Sequence, residues 1–196
     1  MGLGTVGQLA DVRLGKMLDR QKHRYGKELH YIRNINVRWR SVDTSDLLTM
    51  FFKDSELSRY CLQSGDVLVC EGGEPGRAAV WDGRISSMMY QKAIHRVRFP
   101  MGFKHKLLVF LLEYLANSGR LTRWFTGSTI KHFTGESLIQ LPIPLPPEGE
   151  QQSIVSEVER LLSVAEEFDS RVDINLKRAE RLRQSILKKA FSGKLV

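Results

Sequence analysis

Cysteine is scarce in this chain of 196 residues, which has only Cys61 and Cys70. Neither belongs to a Cys-x-x-Cys pair, and no two histidines have the spacing of metal ligands. The sequence therefore indicates neither a disulfide framework nor a zinc site. We expect no bound metal and two unreactive thiols in a reducing compartment.

Long hydrophobic runs are also missing. No apolar segment approaches the roughly 20 residues that a membrane-spanning helix needs, and the N-terminus lacks the apolar core of a signal peptide. These absences predict a cytoplasmic protein that does not associate with membranes.

Motifs of nucleotide-dependent and hydrolytic enzymes are absent as well. The chain has no Walker A sequence, no HExxH, no GxSxG and no Asn-Pro-Pro-Tyr motif of base methylation. Gly2, Gly4 and Gly7 match GxGxxG, but only Met1 precedes them, so the strand that a dinucleotide site requires is not expected there. We predict a binding protein with no catalytic residues and no cofactor.

Positive charge is present in excess, and it is unevenly distributed. The net charge is +8, and residues 1–146 contain 21 bases and 13 acids, whereas residues 147–196 contain nine of each. The excess lies entirely in the front part, which indicates an anionic partner for that part, with nucleic acid as the leading candidate. The alternative is a basic surface that only aids solubility.

The last fifty residues, which begin after Pro146, have the pattern of one long helix. Two prolines precede acids at its start, and lysines followed by Gly193 mark its end. Small or apolar residues recur at alternating steps of four and three, with one polar member, as in the a/d seam of a coiled coil. This seam, the predicted dimer interface, consists of Ile154, Val158, Leu161, Ala165, Phe168, Val172, Asn175, Ala179, Leu182 and Ile186.

Charge along this helix changes sign at its middle. Residues 147–173 contain eight acids and two bases, and residues 174–196 contain seven bases and one acid. Two copies in antiparallel orientation would place acids opposite bases at both ends, so we predict an antiparallel coiled coil. The alternative is that the helix dipole alone favours this distribution.

The front part has the pattern of an α+β domain. Alternating polarity predicts a strand over residues 30–40, and residues 65–99 read as a small antiparallel sheet with a hairpin turn at Asp82-Gly83. An apolar helix follows at 103–118 and a stiff proline-rich link at 138–147. We predict a globular domain over residues 1–145, with a twisted antiparallel or mixed β-sheet and short helices, and a spacer and dimerisation helix over 146–196.

Four segments resemble a known family: Cys61–Trp81 (CLQSGDVLVCEGGEPGRAAVW), Gly127–His132 (GSTIKH), Leu141–Val155 (LPIPLPPEGEQQSIV) and Ala190–Leu195 (AFSGKL). They are similar to the specificity subunit of type I restriction-modification enzymes, and the similarity covers nearly the whole chain. Members of that family typically carry two target-recognition domains, each followed by a spacer helix, and the two helices pack antiparallel. This chain has one such half.

The resemblance implies a non-catalytic subunit that binds double-stranded DNA and assembles with methyltransferase and restriction or motor subunits. A half-length chain would rebuild the two-domain arrangement as a homodimer and would then prefer an interrupted palindrome. We expect phosphate contacts from a flexible basic loop, base readout from a second group of residues, and DNA contacts from a third. The predicted DNA-binding residues are Lys16, Arg20, Lys22 and Arg24 in the loop, then Arg33, Asn34, Arg38, Glu74 and Arg77, and then Ser128, Thr129, Lys131 and His132.

Two other functions stay open at the level of sequence. The first is a non-catalytic coiled-coil dimerisation protein whose basic domain binds an acidic protein partner. The second is an active nuclease or methyltransferase, which would show activity as an isolated chain.

Overall fold

The computed structural model describes residues 2–17 and 25–193. The chain divides into two compact units, with the division between Gln151 and Gln152. The strands of the first unit are β1 (Gly2–Thr5), β2 (Asp11–Leu14), β3 (Lys27–Ile32), β4 (Val37–Arg38), β5 (Ser41–Val42), β6 (Leu48–Phe52), β7 (Val67–Cys70), β8 (Ala78–Val80), β9 (Met89–Tyr90), β10 (Ile94–Arg98) and β11 (Pro142–Leu145). The helices are α1 (Val6–Leu9), α2 (Asp54–Tyr60), α3 (Lys106–Asn117), α4 (Gly135–Gln140) and α5 (Glu148–Phe191), with 3-10 turns at Asn34–Asn36 and Arg120–Trp124.

The strands form several small sheets. The largest has the order β2-β10-β7-β8 and is antiparallel throughout. A second sheet has the order β6-β3-β9, in which β3 pairs antiparallel with β6 and parallel with β9. Two-stranded pairs join β1 with β11 and β4 with β5. The predicted α+β class, with antiparallel and mixed pairing, is confirmed.

Strand β7 passes through the middle of the core and is buried on both faces. Val67 and Val69 pack in the apolar cluster that includes α3, and Leu68 and Cys70 pack in a second cluster with Trp81. A strand covered on both faces requires a continuous apolar run instead of alternation, which is what Val-Leu-Val-Cys supplies. Each fully buried aliphatic side chain of this kind contributes roughly 1.5–3 kcal/mol to folding.

The predicted strand over residues 30–40 is interrupted. Strand β3 ends at Ile32, and a 3-10 turn follows at Asn34–Asn36. The side chain of Asn36 is buried and closes this turn: its oxygen accepts from the Arg33 backbone N–H at 2.9 Å, and its amide donates to the carbonyl of Asp46 at 2.9 Å. An asparagine that satisfies backbone groups in this way favours a turn over a strand.

The prediction of a hairpin at Asp82-Gly83 is also wrong. Strand β8 pairs with β7, and β10 pairs with the other edge of β7, so residues 82–83 do not join two neighbouring strands. Gly83 still adopts a left-handed conformation with φ of +80°. The Asp-Gly pair therefore lies within a crossover connection, where the Asp82 carboxylate accepts from the Arg84 backbone N–H at 3.1 Å.

The N-terminal glycines serve packing. Strand β1 pairs with β11, so Gly4 lies opposite Ile143. A Cβ atom at Gly7 would collide with the side chain of Ile139 on α4, and one at Gly4 would lie 3.0 Å from a methyl group of Leu145. The absence of side chains thus lets the first residues pack closely against the segment that precedes α5.

Helix α5 has the predicted extent. Its 44 residues correspond to roughly 66 Å of helix, beginning directly after the two prolines and ending before Gly193, which has φ of +69°. Seam side chains from Leu161 onward are exposed in the single chain; Phe168, Val172 and Leu182 each expose 62–63% of their surface. Among the residues that the structure describes, no helix combines the length and hydropathy needed to cross a bilayer.

Candidate nucleic-acid interface

A glycine-rich loop, residues 72–76, connects β7 to β8 and forms the centre of the candidate interface. Gly73 and Gly76 have φ of +74° and +88°, in the region that residues with a Cβ rarely adopt. A Cβ at Gly76 would strike Leu121, and one at Gly73 would lie 3.1 Å from the amide nitrogen of Asn34. Both glycines are therefore required by close approach as well as by backbone conformation.

Asn34 and Arg77 fix the conformation of this loop through hydrogen bonds. The Nη2 atom of Arg77 donates to the backbone carbonyl of Asn34 at 3.0 Å and to its Oδ1 at 3.2 Å. The amide of Asn34 in turn donates to the carbonyl of Gly72. The Arg77 side chain is only 15% exposed, so its guanidinium acts mainly within the protein. The structure brings these two predicted residues together, and their part in base readout stays a prediction.

Glu74 of the glycine loop belongs to the same hydrogen-bond network. Its Oε2 accepts from Nη1 of Arg77 at 2.8 Å, and its Oε1 accepts from the indole Nε1 of Trp39 at 2.6 Å. The Glu74 side chain nevertheless stays 51% exposed. Trp39 was not among the predicted site residues, because a tryptophan in an alternating segment indicates core packing. Its partner, 35 residues away, could not be predicted from local pattern.

The loop at residues 127–132 lies beside the glycine loop. It is closed by two backbone hydrogen bonds of 2.9 Å between Thr126 and His132, and Lys131 Nζ donates to the carbonyl of Gly127 at 2.8 Å. A Cβ at Gly72 would lie 3.4 Å from Nδ1 of His132, so the imidazole packs against the glycine loop. The predicted residues Ser128, Thr129, Lys131 and His132 are all exposed.

Arg33 and Arg38 differ in how accessible their guanidinium groups are. Arg33 Nη2 donates to the carboxylate of Asp46 at 2.6 Å and to the Asp46 carbonyl at 2.9 Å. Arg38 is exposed on β4. Hydrogen bonds from Ser45 lower the pKa of the Asp43 carboxyl, and the charge of Arg38 adds to that effect. Arg38 therefore has the more accessible cation of the two.

Lys16 is not the flexible surface cation that its sequence context predicted. Its side chain is 5% exposed, and Nζ donates to Glu56 at 2.6 Å and to the Phe51 carbonyl at 2.9 Å. The ammonium also lies 4.7 Å from the centre of the Phe52 ring. Burial next to a carboxylate removes Lys16 from the set of phosphate contacts. The other members of that loop, Arg20, Lys22 and Arg24, lie outside the described residues.

The cysteines have the properties of structural thiols. Burial raises the pKa of the Cys70 thiol to about 11 and also raises the pKa of Cys61. A thiol whose pKa is raised carries little of the nucleophilic thiolate at neutral pH. Within residues 2–17 and 25–193, no group of three or more His, Cys, Asp or Glu side chains is arranged to hold a metal ion.

The fold and this surface define an α+β protein with one basic globular domain, an exposed polar loop cluster and a long helix with an uncovered apolar seam. The chain belongs to the family described as the type I restriction modification DNA specificity domain, whose model matches residues 4–176. The family predicted from the four sequence segments is confirmed.

Individual relatives agree with this assignment. The chain is 29% identical over 170 residues to the type I restriction enzyme EcoKI specificity subunit of Escherichia coli strain K12, covering 84% of this chain and 37% of that subunit. It is 43% identical over 121 residues to the EcoDI specificity subunit of Escherichia coli, covering 60% of this chain and 25% of the relative.

A solved structure has the same fold over nearly the whole chain. It comes from work on complex assembly and conformational transition of the type I R-M system, with a TM-score of 0.79 at 20% identity. The match covers 99% of this chain and 46% of the other. The chain thus spans less than half the length of these relatives.

Proposed function

We propose that this chain is a DNA sequence-specificity subunit of a type I restriction-modification system, whose front domain recognises one half of a bipartite target. The observation that carries the proposal is the family match over residues 4–176, which includes both the exposed loop cluster and most of α5. The charge excess of the front part supports it, because binding to the phosphate backbone requires positive charge where DNA lies.

Two copies of the chain pair through α5 in antiparallel orientation, and this homodimer restores the two recognition domains. Support comes from the exposed seam and from the sign change of charge at residues 173–174. Large apolar side chains such as Phe168 require a cover, and a second α5 supplies complementary charge along its whole length. Each recognition domain then contacts one half-site of an interrupted palindrome.

The remaining parts of the system come from other chains. Methyltransferase subunits supply the modification chemistry and motor subunits the cleavage, so this subunit acts without catalytic residues or a cofactor of its own. The complex works on double-stranded DNA in the cytoplasm.

An electrophoretic mobility shift with mixed-sequence duplex DNA tests the DNA-binding role. We expect binding that weakens steeply between about 50 and 200 mM salt, because neutralised phosphates release counterions. The assay is run with the chain alone and together with a type I modification subunit, and bovine serum albumin is the protein control. No shift at low salt in either mixture would exclude DNA binding and favour an acidic protein partner.

Light scattering on a sizing column tests the homodimer. We expect the wild-type chain at micromolar concentration to have twice the mass of one chain, and Phe168→Asp to have the mass of one. Ser170→Asp is the matched control, because it adds the same charge two residues away on the polar face. A monomeric wild type contradicts the pairing, and a crosslink between Lys188 of both copies contradicts the antiparallel orientation.

A further inference from the structure

We propose that Glu74 is a specificity-determining residue that accepts a hydrogen bond from the exocyclic amino group of a cytosine in the major groove. The inference rests on the proposed DNA-binding function. It names one side chain of the glycine loop and one base as partners.

The carboxylate of Glu74 is held in place and still has capacity to accept. It has about four lone-pair positions, and two are used by Trp39 Nε1 at 2.6 Å and Arg77 Nη1 at 2.8 Å. Both donors come from the protein side, and 51% of the side chain faces solvent. This exposure leaves the carboxylate accessible to a further donor from outside the protein.

The scaffold under Glu74 limits its movement. Arg77 is itself fixed by two hydrogen bonds to Asn34, and Asn34 is tied to the Gly72 carbonyl. Trp39 and Arg77 are thus positioning residues for the carboxylate. An acceptor fixed before binding loses little side-chain entropy on contact, which favours its use in recognition over that of a freely rotating surface acid.

The charge of Glu74 determines which base it selects. Guanine and thymine present only acceptors to the groove at the relevant edge, and a carboxylate repels these. The edge of adenine presents an amino donor and the N7 acceptor, whereas the edge of cytosine itself presents an amino donor and no acceptor. A carboxylate without a donor of its own is therefore best matched by cytosine.

An exposed carboxylate such as that of Glu74 also repels DNA phosphates, even within a strongly basic domain. A carboxylate that faced the sugar-phosphate backbone would weaken binding to every sequence. The glycine loop that carries Glu74 packs, at Gly72, against His132 of the exposed loop at 127–132, and Lys131 of that loop supplies positive charge. This arrangement instead allows Glu74 to meet base edges while the neighbouring lysine meets a phosphate.

The test is selection from a random duplex library by the chain in complex with a type I modification subunit, followed by sequencing. We expect the wild type to enrich a motif with cytosine at one position of each half-site. Glu74→Gln should lower the cytosine preference at that position roughly tenfold and raise the preference for adenine, because glutamine presents both a donor and an acceptor. The other positions of the motif should be unchanged.

Glu28→Gln is the matched control, since it makes the same charge change at an exposed glutamate that accepts from Thr49 Oγ1 at 2.6 Å. It should leave the motif intact. An unchanged motif for Glu74→Gln overturns the inference and leaves the proposed function standing. Loss of preference at all positions together with a lower melting temperature shows a purely structural role and also overturns it. No motif with the wild type overturns the proposed function and this inference with it.

Discussion

Lys16 illustrates how burial changes the role of a charged residue. In the sequence it is the first of several basic residues, yet in the fold it is buried against the Phe52 ring and donates a hydrogen bond to Glu56. A buried ammonium is tolerated only with such partners, and a buried carboxylate left without its cation is costly. Lys16 therefore joins the segment after β2 to α2 and to the end of β6.

Replacement of Lys16 by methionine should destabilise the domain. We expect a loss of about 2 kcal/mol, less than for a fully buried pair, because the Glu56 side chain is 24% exposed. Urea unfolding measures this change. Lys131→Met is the control, since it removes an exposed amine and should shift stability by less than about 0.5 kcal/mol. Equal stability of the two variants would contradict the structural role of Lys16.

His95 makes stability depend on pH. Burial lowers the pKa of His95 below the ordinary value of 6.5, although Glu71 and the Phe133 carbonyl act in the opposite direction. The folded chain thus keeps the ring neutral where the unfolded chain accepts a proton. The contribution to stability is complete above pH 6.5 and is lost as the pH falls through 6.5 toward the lower pKa of the folded state.

Urea unfolding at about pH 7.5, 6.5 and 5.5 measures this dependence on both sides of the ordinary pKa of histidine. We expect His95→Gln to lose less stability over this range than the wild type does. The amide of glutamine can donate to the Phe133 carbonyl, which lies 3.2 Å from His95 Nε2, and it does not titrate. The same loss in both proteins would assign the pH dependence to other groups.

Among the elements, the close contact between α1 and α4 depends on Gly7. A methyl group at that position meets Ile139, including its backbone oxygen at 3.2 Å, which cannot rotate away. Gly7→Ala should therefore cost about 1–3 kcal/mol through overpacking. Gly149→Ala is the matched control because no atom lies within 4 Å of its added methyl group. Thermal melts of the two variants give the comparison, and an unchanged Gly7→Ala would show that α4 can move.

The elements differ in how well the sequence predicted them. Helix α5 was predicted with boundaries close to those observed, because its apolar repeat extends over many consecutive residues. The strand over 30–40 was wrong because one side chain, Asn36, bonds backbone groups as far away as Asp46. The pairing of β1 with β11 was not predicted, since it joins segments at opposite ends of the domain.

For the molecule as a whole, we expect α5, as the proposed spacer, to set the gap between half-sites. Insertion of seven residues after Asn175 preserves the seam and lengthens the helix by about 10 Å, or about three base pairs. Methylome sequencing of a host that expresses this subunit with its partners should show a longer gap between unchanged half-sites. A two-residue insertion is the control, because it rotates the rest of the seam by about 200° around the helix axis and should prevent assembly. An unchanged gap with the seven-residue insertion would contradict the spacer role.

The sequence predicted which residues belong to the candidate site better than it predicted how they are arranged in space. The sequence grouped Asn34, Glu74 and Arg77 in one candidate region and the loop at 127–132 in another, and the structure places both around one glycine loop. The sequence could not distinguish a basic side chain that faces solvent from one that pairs with an acid of the protein, as Lys16 and Arg33 do. That distinction depends on partners distant in the sequence.

Periodicity and composition were enough to predict the long helix, its apolar seam and its change of charge, and the basic character of the front domain, while four short segments indicated the family. These properties are local or additive along the chain, so they can be read without knowing which segments meet. Tertiary contacts determine which polar side chains remain accessible, which glycines serve packing, and how Trp39 and Arg77 hold Glu74 at the surface. Hydrogen bonds and burial between distant segments produce these features, and no short stretch of sequence contains them.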